Sequence, residues 1–152
     1  IKDLDEKFDE FKNIKEIEKY IRNFYRNTDI LCTVGNLKYL KMGGRIGKVQ
    51  AFLGGILNLR PLISLQEGEL VPIKKVRGQK GFNREVLNYI SNKNSILKRI
   101  AIVHTGNIKI ASEVKEYLIN SGITAKEIII DYIDIVIGMH LGPDSVAIVA
   151  DY

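Results

Sequence analysis

The chain has 152 residues and a mass of 17.2 kDa, with 45% apolar and 27% charged residues. These values suit one globular domain of roughly 100–200 residues and exclude a disordered or collagen-like chain. The formal net charge of +5 is unevenly spread, because residues 21–100 hold 15 basic and 4 acidic side chains while both flanks are acidic. A basic centre favours an anionic partner such as a nucleic acid, a phosphorylated ligand, a carboxylate or an acidic protein surface, or else is a solvated surface.

The first half of the chain predicts helices and strands in alternation. Apolar residues recur every three or four positions from Leu4 to Tyr25, which is typical of an amphipathic helix. Pro61 predicts that its strand begins at a sheet edge, and Glu67-Gly68 predicts a turn between two strands. The further elements predicted here are a strand at 30–34, helices at 36–42 and 46–57, strands at 59–65 and 70–76, and a helix at 79–90.

The second half predicts shorter strands around one helix. Residues 108–120 carry a helical apolar face, and Gly122 is a helix stop. Strands are predicted at 100–103, 126–130, 134–138 and 146–149. This order predicts a two-layer α/β domain with a mixed sheet and helices. Because no segment has the composition of a long linker, we interpret residues 1–152 as one domain.

Several classes of protein are disfavoured by what the sequence lacks. The longest apolar stretch, 51–57, is far shorter than the ~20 residues of a transmembrane helix. Ile1 replaces an initiating Met and no signal peptide follows, which favours a fragment or a processed product. Cys32 is the single cysteine, so an intrachain disulfide and a thiolate metal cluster are excluded, and a reducing cytoplasm fits best. No nucleophile or zinc-protease motif is present, so we expect a binding protein without a metal or cofactor.

A glycine-rich loop offers one alternative function. Gly44-Arg45-Ile46-Gly47 is a G-x-x-G loop between two predicted helices, followed by strand, strand and helix, as in a KH domain that clamps single-stranded RNA. A phosphate-binding P-loop is disfavoured because Met42 and Val49 occupy positions where it needs glycine and a hydroxyl residue.

Two histidines are placed where predicted strands end beside glycines. His140 follows the predicted strand 134–138, and His104 follows the strand 100–103. A strand end is a common position for a binding group, although a histidine bonded to nearby backbone gives the same pattern.

Several ordered motifs resemble the DegV family of bacterial fatty-acid-binding proteins, some of which serve a fatty-acid kinase. The stretch TVGNLKYLKMGGRI at 33–46 is similar to the family signature T-L-x-Y-L-x-x-G-G-R-I. The likeness continues through 57–63, 68–72 and 76–78, and ends with GMHLGP at 138–143. It covers nearly the whole chain.

The resemblance implies the C-terminal domain of a two-domain protein whose N-terminal domain is absent from this chain. It implies a cytoplasmic carrier in phospholipid metabolism that binds a long-chain fatty acid and presents it to a kinase, with no nucleic acid as partner. By position, His140 and Arg45 would hold the carboxylate, and Arg45 and Arg77 would dock the kinase. A buried carboxylate needs such charge-assisted donors. The residues implied for the acyl-tail pocket are Phe52, Leu53, Ile56 and Leu57.

Three residues depart from the family pattern around the histidine. Met139 and Leu141 stand where the family commonly has threonine, which removes two hydroxyl donors. Asp144 replaces a glycine and is expected to add negative charge near the carboxylate.

Overall fold

A computed structural model describes residues 4–5, 7–52, 59–93 and 95–152. In this part of the chain six strands form one mixed sheet with the order β3-β2-β1-β6-β4-β5. The strands are β1 (Thr28–Thr33), β2 (Leu59–Gln66), β3 (Glu69–Arg77), β4 (Arg99–His104), β5 (Glu127–Tyr132) and β6 (Val146–Asp151). All neighbours are antiparallel except β4 and β5, so the predicted mixed α/β sheet is confirmed.

Five α-helices of six or more residues accompany the sheet in the described ranges. They are α1 (Ile14–Arg26), α2 (Leu37–Met42), α3 (Gly78–Ser91), α4 (Ile108–Asn120) and α5 (Ile135–Leu141). Four of them begin at a side chain that accepts a hydrogen bond from a free backbone N–H of the first turn, which is the usual stabilisation of a helix start. The capping residues are Asn13, Asn36, Asn107 and Asp134.

The two faces of the sheet bury different sets of side chains. Helices α3 and α4 cover one face with a large apolar core that includes Phe82 and Val114, packed on Ile102 and Ile148. The short helices α2 and α5 lie over part of the other face. The smaller cluster there comprises Cys32, Val34, Leu40, Val49, Ile63, Leu141 and Ala147. Because successive side chains of a strand point to opposite faces, both faces of the central strands are apolar.

Two predicted helices are shorter in the structure. The amphipathic segment from Leu4 to Tyr25 is divided into a 3-10 turn at Phe8–Glu10 and α1, because Asn13 caps a new helix start at Ile14. The helix predicted at 46–57 is a 3-10 helix at Gly47–Phe52, and the remainder of that prediction lies outside the described residues.

The strand predicted at 134–138 is wrong, because these residues begin α5. The Asp134 carboxylate accepts a hydrogen bond from Val136 N at 2.9 Å, and Gly138 N donates to Asp134 O at 2.8 Å, which closes a helical turn. An apolar β-branched run of this length suits either a strand or a helix, and here the Asp134 cap and the packing of α5 on α2 stabilise the helix. His140 therefore lies in the last turn of a helix.

Pro61 lies in the part of β2 that pairs with β3 alone. The strand as a whole lies between β3 and β1, but its ladder with β1 registers at Ile63 and Ser64, further along the strand. The strand therefore begins at a local sheet edge, as its proline predicts. The turn predicted at Glu67-Gly68 is confirmed. Both residues have positive φ, 50° and 81°, as in the tight turns that join twisted antiparallel strands.

Candidate ligand-binding pocket

An apolar cavity of about 440 Å³ lies on the sheet face opposite α3 and α4. Its floor consists of side chains from the three central strands in two rows. Cys32, Ala147 and Val103 form one row, and Ile30 and Val149 form the next. Further apolar walls come from Leu40, Leu65, Leu70, Ile133, Ile137 and Leu141. The volume falls within the ~300–1,000 Å³ typical of small-molecule sites.

Two donor side chains converge in the wall of this cavity. Arg45 and His140 both line it, and both contact Gly43, the residue that ends α2. The Arg45 guanidinium donates from Nη1 to Gly43 O at 2.7 Å. The His140 ring lies so close that a Cβ added to Gly43 would be 2.1 Å from its Nδ1. Residues almost one hundred positions apart in the sequence thus form one polar corner of an apolar cavity.

The thiol of Cys32 faces this cavity without forming part of a reactive group. Burial raises the pKa of Cys32 to about 12, so the side chain is a neutral thiol at physiological pH. Cys32 belongs to the smaller core cluster and lies in the floor of the cavity.

His104 lies at the end of β4, as predicted, but behind the cavity wall. The side chain is buried, and its ring centroid is 4.7 Å from that of Tyr132, which lines the cavity. Within the described ranges, His104 Nδ1 has no hydrogen-bond partner. The structure therefore separates the two histidines, since only His140 reaches the cavity.

The other residues implied by the family resemblance occupy different positions. Phe52 is half-buried, and Lys75 Nζ lies 5.1 Å from its ring centroid. Phe52 is outside the set of described residues that line the cavity, and Leu53, Ile56 and Leu57 lie outside the described residues. Arg77 is exposed at the residue that precedes α3.

The three residues that depart from the family pattern lie in different environments. Met139 is exposed, whereas Leu141 is buried in the cavity wall. Asp144 accepts a hydrogen bond from Asn107 Nδ2 at 2.8 Å and is outside the set of described residues that line the cavity. The Asp144 carboxylate is therefore hydrogen-bonded to the residue that caps α4.

The cavity floor contains residues that the sequence analysis did not select. Ile30, Cys32, Val103, Ala147 and Val149 alternate with core residues along their strands. The period of two was available as a signal, but both faces of these strands are apolar, so the pattern alone does not distinguish a cavity floor from a packed core.

A predominantly apolar cavity with an arginine and a histidine at one corner is thus built on a mixed α/β sheet. The chain belongs to the DegV family, because the family profile described as "Uncharacterised protein, DegV family" matches residues 6–152.

Comparison with individual proteins agrees with this assignment. A DegV domain-containing protein of Clostridium perfringens is 34% identical over 145 residues, which are 90% of this chain and 48% of that protein. A solved structure described as "Fatty Acid Binding of a DegV family Protein from Thermus thermophilus" is 28% identical, with a TM-score of 0.86 over 96% of this chain and 53% of that one. The Streptococcus pneumoniae Fatty Acid Kinase (Fak) B3 protein, loaded with linoleic acid, shares the fold, with a TM-score of 0.84 at 19% identity over 99% and 53% of the two chains. The chain thus spans about half the length of the proteins it matches.

The described part of the chain offers no transmembrane helix of sufficient length and hydrophobicity. Within the same residues, no group of three or more histidine, cysteine, aspartate or glutamate side chains is arranged to hold a metal ion. The G-x-x-G loop of the RNA-binding alternative contributes Arg45 to the cavity, and the strands that follow it join the six-stranded sheet. Membership of the DegV family replaces that alternative.

Proposed function

We propose that this chain binds a long-chain fatty acid, with the acyl tail in the cavity and the carboxylate beside His140 and Arg45. The observation that carries the proposal is the pairing of these two donors at one corner of a predominantly apolar cavity, which Tyr132 and Asp134 also line. The similar DegV family protein of Thermus thermophilus, for which fatty-acid binding is described, supports the same class of ligand.

The energetics of such a ligand match the two parts of the site. Each methylene of an acyl tail removed from water contributes about 0.8 kcal/mol, so a long tail supplies most of the affinity. The carboxylate costs free energy when it leaves water, and charge-assisted hydrogen bonds from the Arg45 guanidinium and the His140 imidazole offset that cost. The corner therefore fixes the direction in which the tail enters.

A partner kinase would perform the chemistry, with this protein as the carrier that presents the carboxylate for acyl-phosphate formation. The likeness in fold to the pneumococcal Fak B3 protein supports this role. Arg45 and Arg77 are both exposed, and the basic segment 21–100 would attract an acidic kinase surface. We propose that the carrier and the kinase meet in the cytoplasm.

The proposal also includes a preceding N-terminal domain that completes the site. The chain spans about half the length of its relatives. Ile135, Val136 and Met139 are exposed on α5, next to the cavity wall formed by Ile137 and His140. A cluster of exposed apolar side chains at a cavity mouth is typical of a surface that another domain covers.

Native mass spectrometry of the full-length protein, purified without added lipid, tests the proposal. We expect one bound fatty acid that is released only on unfolding, and H140A should reduce its retention. A protein that carries no fatty acid, and does not acquire one from a supplied mixture, would contradict the proposal. Co-purified RNA fragments would instead favour the KH-like alternative.

A further inference from the structure

Helices α2 and α5 each end at a glycine that is covered by a ring from the other helix. Gly43 follows α2, and a Cβ added there would lie 2.1 Å from Nδ1 of His140 on α5. Gly142 follows α5, and a Cβ added there would lie 2.2 Å from Cδ2 of Tyr39 on α2. We call these four residues, Tyr39, Gly43, His140 and Gly142, the glycine clasp.

The two glycines of the clasp are needed for different reasons. Gly142 has φ of +76°, so its backbone alone favours glycine, whatever the ring above it. Gly43 has φ of −79°, which any residue adopts, so its backbone does not require glycine. The close imidazole is therefore the reason that position 43 lacks a side chain.

Gly43 also fixes the second donor of the site. The carbonyl oxygen of Gly43 accepts the 2.7 Å hydrogen bond from Arg45 Nη1. The imidazole of His140 lies against the Cα of Gly43, where another residue would have its Cβ. Gly43 therefore determines how far apart the Arg45 guanidinium and the His140 imidazole lie, and these are the two groups assigned to the ligand carboxylate. A methyl group at position 43 would push the imidazole away while leaving the backbone conformation allowed.

We propose that Gly43 is a positioning residue that holds the imidazole of His140 beside Arg45 for recognition of the ligand carboxylate. The positioning follows from the geometry of the clasp, and its effect on binding rests on the function proposed above. Gly43 acts through His140 and needs no contact with the ligand.

The test combines G43A and H140A in the full-length protein, singly and together. G122A is the matched control, since Gly122 follows α4 and has φ of +86° with open space around its Cα. Urea unfolding, the side-chain nitrogen NMR signals of His140 and the binding of a fluorescent long-chain fatty acid are measured for each variant. Comparing the single and double variants isolates the coupling between the two positions.

We expect G43A to shift the His140 NMR signals and to weaken fatty-acid binding about tenfold or more, as H140A does, because a charge-assisted hydrogen bond is lost. The double variant should bind no more weakly than either single variant. G43A should lower the urea midpoint, and H140A should restore it in the double variant because the clash is removed. G122A should lower the midpoint whether or not His140 is present, and should leave binding within about twofold of wild type.

Two outcomes would overturn the positioning role. One is a G43A protein with unchanged His140 signals and unchanged affinity. The other is a loss of stability in G43A that persists after H140A. A further result distinguishes the positioning role of Gly43 from the proposed function. If the stability effects of G43A and H140A are coupled but H140A binds fatty acid normally, Gly43 positions His140. The same result contradicts the role of His140 at the ligand carboxylate.

Discussion

Replacing Ala147 with leucine should shorten the fatty acid that the protein binds best. Ala147 lies at the centre of the cavity floor, on β6, between Cys32 of β1 and Val103 of β4. The leucine side chain would extend from this row into the space assigned to the acyl tail. The backbone of β6 is regular there, so the substitution changes the volume of the cavity rather than the path of the strand.

The size of the effect follows from the volume that the new side chain occupies. Leucine adds three carbon atoms, which displace roughly three methylenes of the tail at about 0.8 kcal/mol each. The affinity for a tail that fills the cavity should therefore fall by about 2.4 kcal/mol, or roughly 50-fold. A fatty acid about three carbons shorter should lose much less, because its tail ends before the new side chain.

Competition binding with saturated fatty acids of increasing length measures this change. A125L is the matched control, because Ala125 packs against the core on the opposite face of the sheet and is outside the described residues that line the cavity. It adds the same side chain to a partly buried position. We expect A125L to keep the wild-type preference for chain length. A folded A147L protein that binds every chain length as wild type does would refute the placement of the tail over the central strands.

Three further predictions concern single groups of the site. H140A should weaken binding of a fatty acid more than binding of the corresponding alcohol, by about tenfold in titration calorimetry, and an equal loss for both ligands would contradict a role at the carboxylate. R77E should slow acyl-phosphate formation by the partner kinase more than the matched K109E variant on α4 does, because both side chains are exposed but only Arg77 is assigned to docking, and unchanged kinetics would exclude docking through Arg77. Cys32 has a folded-state pKa raised to about 12 from 9.0, so its contribution to stability is complete below pH 9 and is lost as the pH rises towards 12. Between pH 8 and 10.5 the wild type should lose about 2 kcal/mol of unfolding free energy relative to C32A, measured by urea titration, and parallel losses in both proteins would show that Cys32 ionises freely.

Local signals predicted much of the secondary structure. The helix at 108–120 was predicted with its observed bounds, because its apolar face is clear and Gly122 is a stop. The helix start at Asn36 was predicted because asparagine is a good N-cap residue. The composition of 134–138 predicts a strand, whereas in the structure Asp134 caps a helix at these residues.

Only the two donor residues of the site could be predicted from the sequence, and that prediction came from the family resemblance. Arg45 and His140 stand in motifs that resemble the DegV signature, and the structure brings both to one cavity. Their common contact with Gly43 depends on how α2 packs against α5, which no local pattern encodes. The cavity floor depends on the order of strands in the sheet, and that order is set by pairing between segments more than one hundred residues apart.

The central place of β6 has a consequence for how the chain folds during synthesis. β6 is the last of the six described strands to be synthesised, yet it joins β1 to β4. Until it arrives, the other described strands can pair in their native order only as two separate pieces of sheet, β1 with β2 and β3, and β4 with β5. Each piece then exposes an unpaired strand edge, and such non-local closure folds slowly and is prone to aggregation. Since Ala147 and Val149 belong to β6, the floor of the cavity is completed only when β6 pairs with β1 and β4.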